Sequence, residues 1–261
     1  MHRHLRFGAL LCAAALAGCG ADAVREITGP VPGSQIKFFN FGVNSPGVNF
    51  YAGTQKMTAI GSATGTESTI GTAYGSAGAG GVYTAIAPGQ YALSGRIAAA
   101  TDKDLVISTV NMTLVDGKKY SFYQSGFYNS TTKTVDAFVV EDPLPATTDY
   151  SVATVRFVNA ISNANPMALY AVDTTRTDAN KGVEVALGGP VAYKSAGAFV
   201  TLPPGTYNLT TRYVGASANV IARGGVGFAA GAVYTISARG DITITSTTAT
   251  NRPQIDNTVN R

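Results

Sequence analysis

The sequence predicts an all-β protein of two tandem immunoglobulin-like antiparallel β-sandwich domains, and three observations carry that expectation. Apolar or aromatic residues alternate with polar ones in Tyr207-Asn208-Leu209-Thr210-Thr211-Arg212-Tyr213, in Tyr234 to Arg239 and in Tyr91 to Ser94. A period of two puts one side of a strand in a core and the other in water. Pro-Gly, Asp-Gly and Gly-Gly pairs stand between these runs and supply the backbone angles that turns need.

The third observation is an internal repeat. Ile36-Lys37-Phe38-Phe39-Asn40 aligns with Val155-Arg156-Phe157-Val158-Asn159, and Asn49-Phe50-Tyr51-Ala52 with Ala168-Leu169-Tyr170-Ala171, both at an offset of 119. Ala73-Tyr74-Gly75-Ser76 meets Ala192-Tyr193-Lys194-Ser195 at the same offset. Ala87 to Leu93 meets Pro203 to Leu209 at 116, and Asp116 to Tyr120 meets Ala230 to Tyr234 at 114. Order is kept while loop lengths drift. Two copies of a unit of about 100 residues explain this better than a solenoid, whose units run roughly 20 to 50. Seven or so strands in that length is the arithmetic of a sandwich, with a closed barrel as the alternative.

The chain then divides in order. Arg3 and Arg6 precede an apolar run, Phe7 to Ala17, so residues 1–18 read as a secretory signal peptide. Leu16-Ala17-Gly18-Cys19 resembles the lipobox of bacterial lipoproteins, which implies cleavage before Cys19 and lipidation of that residue. Each buried methylene of an acyl chain contributes about 0.8 kcal/mol, so several chains hold a protein to a bilayer durably. Gly20, where an Asp would retain such a protein elsewhere, implies the outer membrane of a Gram-negative envelope. No run of about 18 apolar residues follows, so no membrane-spanning helix is expected after that point. Residues 19–33 are expected to be a lipid-anchored tether, 34–142 the first sandwich, 143–150 a semi-rigid linker, 151–246 the second sandwich, and 247–261 a frayed polar tail.

Composition excludes much chemistry. Cleavage would remove both histidines, His2 and His4, together with Cys12, and would consume Cys19 as a thioether. That leaves no disulfide, thiolate nucleophile, His or Cys metal ligand, or Ser-His-Asp triad. The formal net charge is +4, with basic residues scattered among acids, so nucleic acid is not an expected partner. No catalytic residue, metal ligand or cofactor is assigned.

A first strand reading Val155-Arg156-Phe157-Val158-Asn159, a Tyr193-x-Ser195 segment, the corner Leu202-Pro203-x-Gly205-x-Tyr207 and Gly231-x-x-Tyr234 resemble the bacterial domain-of-unknown-function 4397 family. The first copy departs from it with Ile86-Ala87-Pro88-Gly89 at the corner and a Gly-rich insertion, Gly61 to Gly81. The resemblance implies an extracytoplasmic β-sandwich, often a lipoprotein, and no activity or catalytic residue to carry over.

Local patterns add little. Gly225-Val226-Gly227-Phe228-Ala229-Ala230 fits a dinucleotide fingerprint by letters but has no βαβ unit around it, and it reads as a turn. Ser130-Thr131-Thr132-Lys133 matches S-x-x-K without its partner motifs and reads as a polar loop. Asp102 and Asp104 at a hairpin, Glu141 with Asp142 before the linker, and Asp173, Asp178 and Glu184 in one long loop read as solvated acids, weakly as acid-base or calcium groups. Tyr91 and Tyr207, two residues past Pro-Gly, read as structural corners, their glycines taking a φ that other residues resist; Asn40 and Asn159 read as turn caps. Tyr123, Phe127 and Tyr128 bracket Ser125-Gly126 where a strand ends, and form the candidate binding surface, with core packing as the competing role for Tyr.

The expected function is a non-catalytic cell-envelope lipoprotein. It would be held to the membrane by its N-terminal lipid and present two sandwiches to a carbohydrate or an envelope protein. The alternative is an envelope glycan hydrolase using a carboxylate pair, chemistry that needs neither His nor Cys.

Overall fold

The computed structural model describes residues 33–61, 64–178 and 180–261. The first copy contains β1 (Ser34–Asn40), β2 (Val48–Ala52), β3 (Gln55–Lys56), β4 (Ser76–Ala77), β5 (Thr84–Ile86), β6 (Gly89–Ile97), β7 (Val106–Leu114), β8 (Lys119–Asn129) and β9 (Thr134–Glu141). The second contains β10 (Ala153–Asn159), β11 (Met167–Asp173), β12 (Glu184–Ala186), β13 (Ser195–Ala196), β14 (Val200–Leu202), β15 (Gly205–Tyr213), β16 (Ile221–Phe228), β17 (Val233–Arg239) and β18 (Gln254–Val259).

Each copy is a sandwich of two sheets, and the sheets correspond one to one. In the first, β4-β1-β8-β9, with β5 also on β1, faces β3-β2-β6-β7. In the second, β13-β10-β17-β18, with β14 also on β10, faces β12-β11-β15-β16. One ladder in each copy is parallel, β1 with β8 and β10 with β17; the other ladders are antiparallel. Alternation fills the cores as expected. Ile36, Phe38, Phe50, Leu93 and Phe122 pack in one, and Val155, Phe157, Leu169, Leu209 and Ile236 in the other.

The corners are structural. The Tyr91 hydroxyl donates to Ala87 O at 2.9 Å and that of Tyr207 to Pro203 O at 2.7 Å. Asn159 accepts from Ile161 N at 3.0 Å and Asn40 from Gly42 N at 3.4 Å, the Asx geometry of a turn cap. Gly205 departs from expectation. It is absent from the positive-φ positions, and a Cβ there would stand 3.0 Å from Thr175 Oγ1 and 3.1 Å from Asp173 Oδ2, so what a side chain would meet here is a tight contact with two side chains and not an unfavourable φ.

Three other expectations are corrected. The six-letter glycine pattern at 225–230 is largely strand: β16 runs through Phe228, and Gly225 takes a φ of 68° inside it. Residues 247–261 are not a frayed tail, because β18 pairs with β17 over six residues and Ile255 is buried in the second core. The strand Tyr234 to Arg239 is not half-buried, since every residue of β17 is buried. These last two share a cause: the polar face of β17 and β18 meets the other sandwich instead of water.

Candidate functional site

The inner sheets of the two sandwiches pack face to face. Along β1 the odd positions turn away from the first core, so Lys37 and Phe39 point into this joint; Arg156 and Val158 do the same from β10. Phe39, Phe41, Tyr123 and Phe138 pack there against Val158 and Ala160. Tyr123 stacks on Phe39 at 4.7 Å and on Phe138 at 5.0 Å, centroid to centroid, and its hydroxyl lies 3.4 Å from Ser237 Oγ. It is fully buried, and burial pushes its phenol up to about 12. Tyr123 is therefore not part of a binding surface: the sequence shows a Tyr on a polar strand face but not the second sandwich that covers it.

Charges sit inside the joint. Arg156, 1% exposed, reaches from the second sandwich to Glu141 O at 2.8 Å and forms an ion pair with Asp142, itself 2% exposed. The other Asp142 oxygen accepts from the Tyr83 and Ser121 hydroxyls, both at 2.7 Å. Lys37 makes the return connection, donating to Val259 O at 2.6 Å and to Asn260 Oδ1 at 3.1 Å while lying 4.2 Å from the centroid of the Tyr83 ring. Burial lowers the Lys37 ammonium to about 8; Asp142 opposes this, and Lys119 and Arg156 add to it.

That shift has a measurable consequence. The folded pKa lies below the 10.5 of the free side chain, so between about pH 8 and 10.5 the unfolded chain binds the extra proton. Stability contributed by this group rises with pH through that window, and the penalty is complete below it. Lys37→Met is expected to remove the rise. Urea unfolding at pH 7 and pH 10 should show the variant gaining on wild type at pH 7 and losing that advantage at pH 10; an unchanged difference would place Lys37 in water.

Like ends of the sandwiches touch. At the start of β1 and β10 the contacts are those of Lys37 and Arg156; at the far end of these sheets Tyr193 reaches Ser125 Oγ at 2.9 Å, and Lys194 pairs with Asp136 at 2.6 Å. Both inner sheets thus run in one direction. The base of the molecule holds Ser34, the turns at 87–88 and 115–118, residues 142–152 and Asn260. Its apex holds the loops 41–47, 98–105, 130–133, 160–166 and 214–220.

The remaining residues of the candidate binding surface, Phe127 and Tyr128, lie toward the apex end of β8. Phe127 is 44% exposed and bridges Val43; Tyr128 is partly buried and packs against the first core. The acids are engaged one by one. Asp102 pairs with Lys133, Asp104 accepts from the Tyr51 hydroxyl, Glu141 pairs with Lys118, Asp178 with Arg176 and Glu184 with Arg212. Asp173 accepts from Thr175 N at 2.7 Å and from Arg176 N at 3.2 Å and caps the loop that follows it. Among the described residues no three His, Cys, Asp or Glu side chains gather as a metal site would require. Cys19 lies outside the described residues.

No family model matches the chain, and no curated protein does. Solved structures match only distantly, three of them as follows. A proposed cell adhesion protein of Bacteroides ovatus is 10% identical, with 89% of this chain and 97% of that one covered at a TM-score of 0.28. A family 26 carbohydrate-binding module from Eubacterium rectale, in complex with maltoheptaose, is 12% identical over 87% and 95% at 0.21. A second proposed cell adhesion protein, from Bacteroides eggerthii, is 11% identical over 88% and 96% at 0.24. Likenesses this distant carry no argument about function.

Proposed function

We propose that the chain is a non-catalytic module of the cell envelope, anchored by lipid at Cys19 in the outer membrane, that stands two sandwiches side by side and turns their apex loops outward. The observation supporting this is the shared polarity of the two copies. The described chain begins at the base, crosses between sandwiches at the base and finishes there, so a tether through residues 19–33 would place the base toward the bilayer. Phe127 and the apex loops of both copies would then face a carbohydrate or an envelope protein. The buried ionic groups serve the joint, which fixes the two sets of loops relative to each other.

The test uses full-length acylated protein in phosphatidylethanolamine and phosphatidylglycerol vesicles whose headgroups carry an energy-transfer acceptor. A donor fluorophore on Lys118→Cys at the base should transfer energy more efficiently than one on Ser130→Cys at the apex; equal or reversed efficiencies overturn the orientation. Saturable binding to an envelope glycan or protein, abolished by Phe127→Ala, supports the module. Turnover of a glycan that is lost on an Asp→Asn or Glu→Gln change overturns it.

A further inference from the structure

The joint pairs equivalent residues with each other. Lys37 and Arg156 occupy the same position in the two copies, and so do Asp142 and Asn260, 118 apart. Lys37 of the first copy binds Val259 O and Asn260 of the second; Arg156 of the second binds Glu141 O and Asp142 of the first. Beneath them Lys37 lies on the Tyr83 ring and Arg156 on that of Phe199, equivalent rings 116 apart. Ser121 donates to Asp142, and the equivalent Thr235 accepts from Asn260 at 2.8 Å. At the apex Tyr193 bonds Ser125, while the equivalent Tyr74 lies 5.2 Å from Arg239, which is equivalent to Ser125. Tyr123 and Ser237, also equivalent, meet each other. Contacts in which i meets j and j meets i define an isologous two-fold interface, here with its axis along the strands between β8 and β17.

We infer that the joint is a dimer contact between equal partners retained inside one chain, with two faces that have diverged so that each fits the other and neither fits itself. The first face is aromatic, with Phe39, Phe41, Tyr123 and Phe138; the second is small or polar at the same positions, with Val158, Ala160, Ser237 and Asp256. Pairing the first face with itself would drive Tyr123 onto Tyr123. Pairing the second with itself would leave a void, and interiors tolerate neither. The apex shows the same accommodation. Gly75 has a φ of 78°, and a Cβ on it would lie 2.8 Å from the Arg239 guanidinium carbon. Its counterpart Lys194 holds a non-glycine φ of 65° opposite the smaller Ser125 and supplies the cation itself. The partner this surface fits is the opposite copy, with or without a covalent connection.

The experiment places a protease recognition sequence between Ala146 and Thr147 in the otherwise complete chain, cuts the folded protein and passes it over a sizing column at about 0.1 μM, where only a contact of that affinity or tighter survives. The halves are expected to elute together. Tyr123→Ser should weaken the cut complex by about 100-fold or more, and adding Ser237→Tyr should restore part of that loss, because the two positions face each other across the axis. Arg156→Ala, which leaves Asp142 buried without its cation, should also separate the halves and serves if Tyr123→Ser does not fold. Separation of the wild-type halves, indifference of the folded variants, or no recovery in the double variant of a folded Tyr123→Ser each overturns the inference.

Discussion

Asp142→Ala is expected to lower the stability of the whole chain by about 3–5 kcal/mol, the range for removing one partner of a buried ion pair. The carboxylate connects three groups at once: the Arg156 guanidinium from the second sandwich, and the Tyr83 and Ser121 hydroxyls of the first. Without it Arg156 stays 1% exposed with only neutral acceptors, the Ser121 hydroxyl loses its acceptor, and the Tyr83 hydroxyl keeps only the 3.5 Å contact with Asn260 Oδ1. Its chain neighbour supplies the control. Glu141 pairs with Lys118 at 2.7 Å, but both side chains are more than 40% exposed, and exposed pairs contribute about 0–1 kcal/mol. Urea titrations should give Asp142→Ala a much lower midpoint at an unchanged slope, and Glu141→Ala a nearly wild-type one. Equal losses at the two positions would mean that the joint does not bury its charge.

Truncation after Thr250 is expected to be at least as severe. The segment removed contains β18, and three kinds of interaction leave with it. Ile255, 3% exposed, is lost from the second core at about 2–3 kcal/mol. Lys37, Arg223 and Arg239 lose acceptors at Val259 O, Ile255 O and Asp256. The edge of β17 loses a six-residue ladder and is left open. Set against a net stability of about 5–15 kcal/mol for a domain, this is enough to unfold the second sandwich at 37 °C. Near-ultraviolet circular dichroism should lose its native signal; a melting temperature within a few degrees of wild type would show the segment to be dispensable.

The polar character of that segment explains why the sequence reads as a tail. Gln254-Ile255-Asp256-Asn257-Thr258-Val259 offers one side chain to the core, and its other face carries the polar groups of the joint. A strand that buries a polar face against a partner has the same alternation as one that wets it. For that reason β15 and β6 are legible from period two, while β17 is misjudged on one side. Tyr207, Asn159 and the repeat itself are legible because each is fixed by interactions within one copy. The joint is not, because it is made between copies and its contacts have no local pattern. One signal was available: a cation stands at the same register of both first strands, as Ile36-Lys37-Phe38-Phe39 and Val155-Arg156-Phe157-Val158, among residues too apolar to leave it in water. Among the candidate binding residues Phe127 keeps its exposed place, Tyr128 is partly covered, and Tyr123 belongs to the joint.

The two sandwiches are expected to behave as one body held by that joint. Scanning calorimetry of the intact chain tests it most directly. A single transition whose calorimetric and van't Hoff enthalpies agree is the predicted result. Two resolved transitions, each of a size fitting one sandwich, would contradict it.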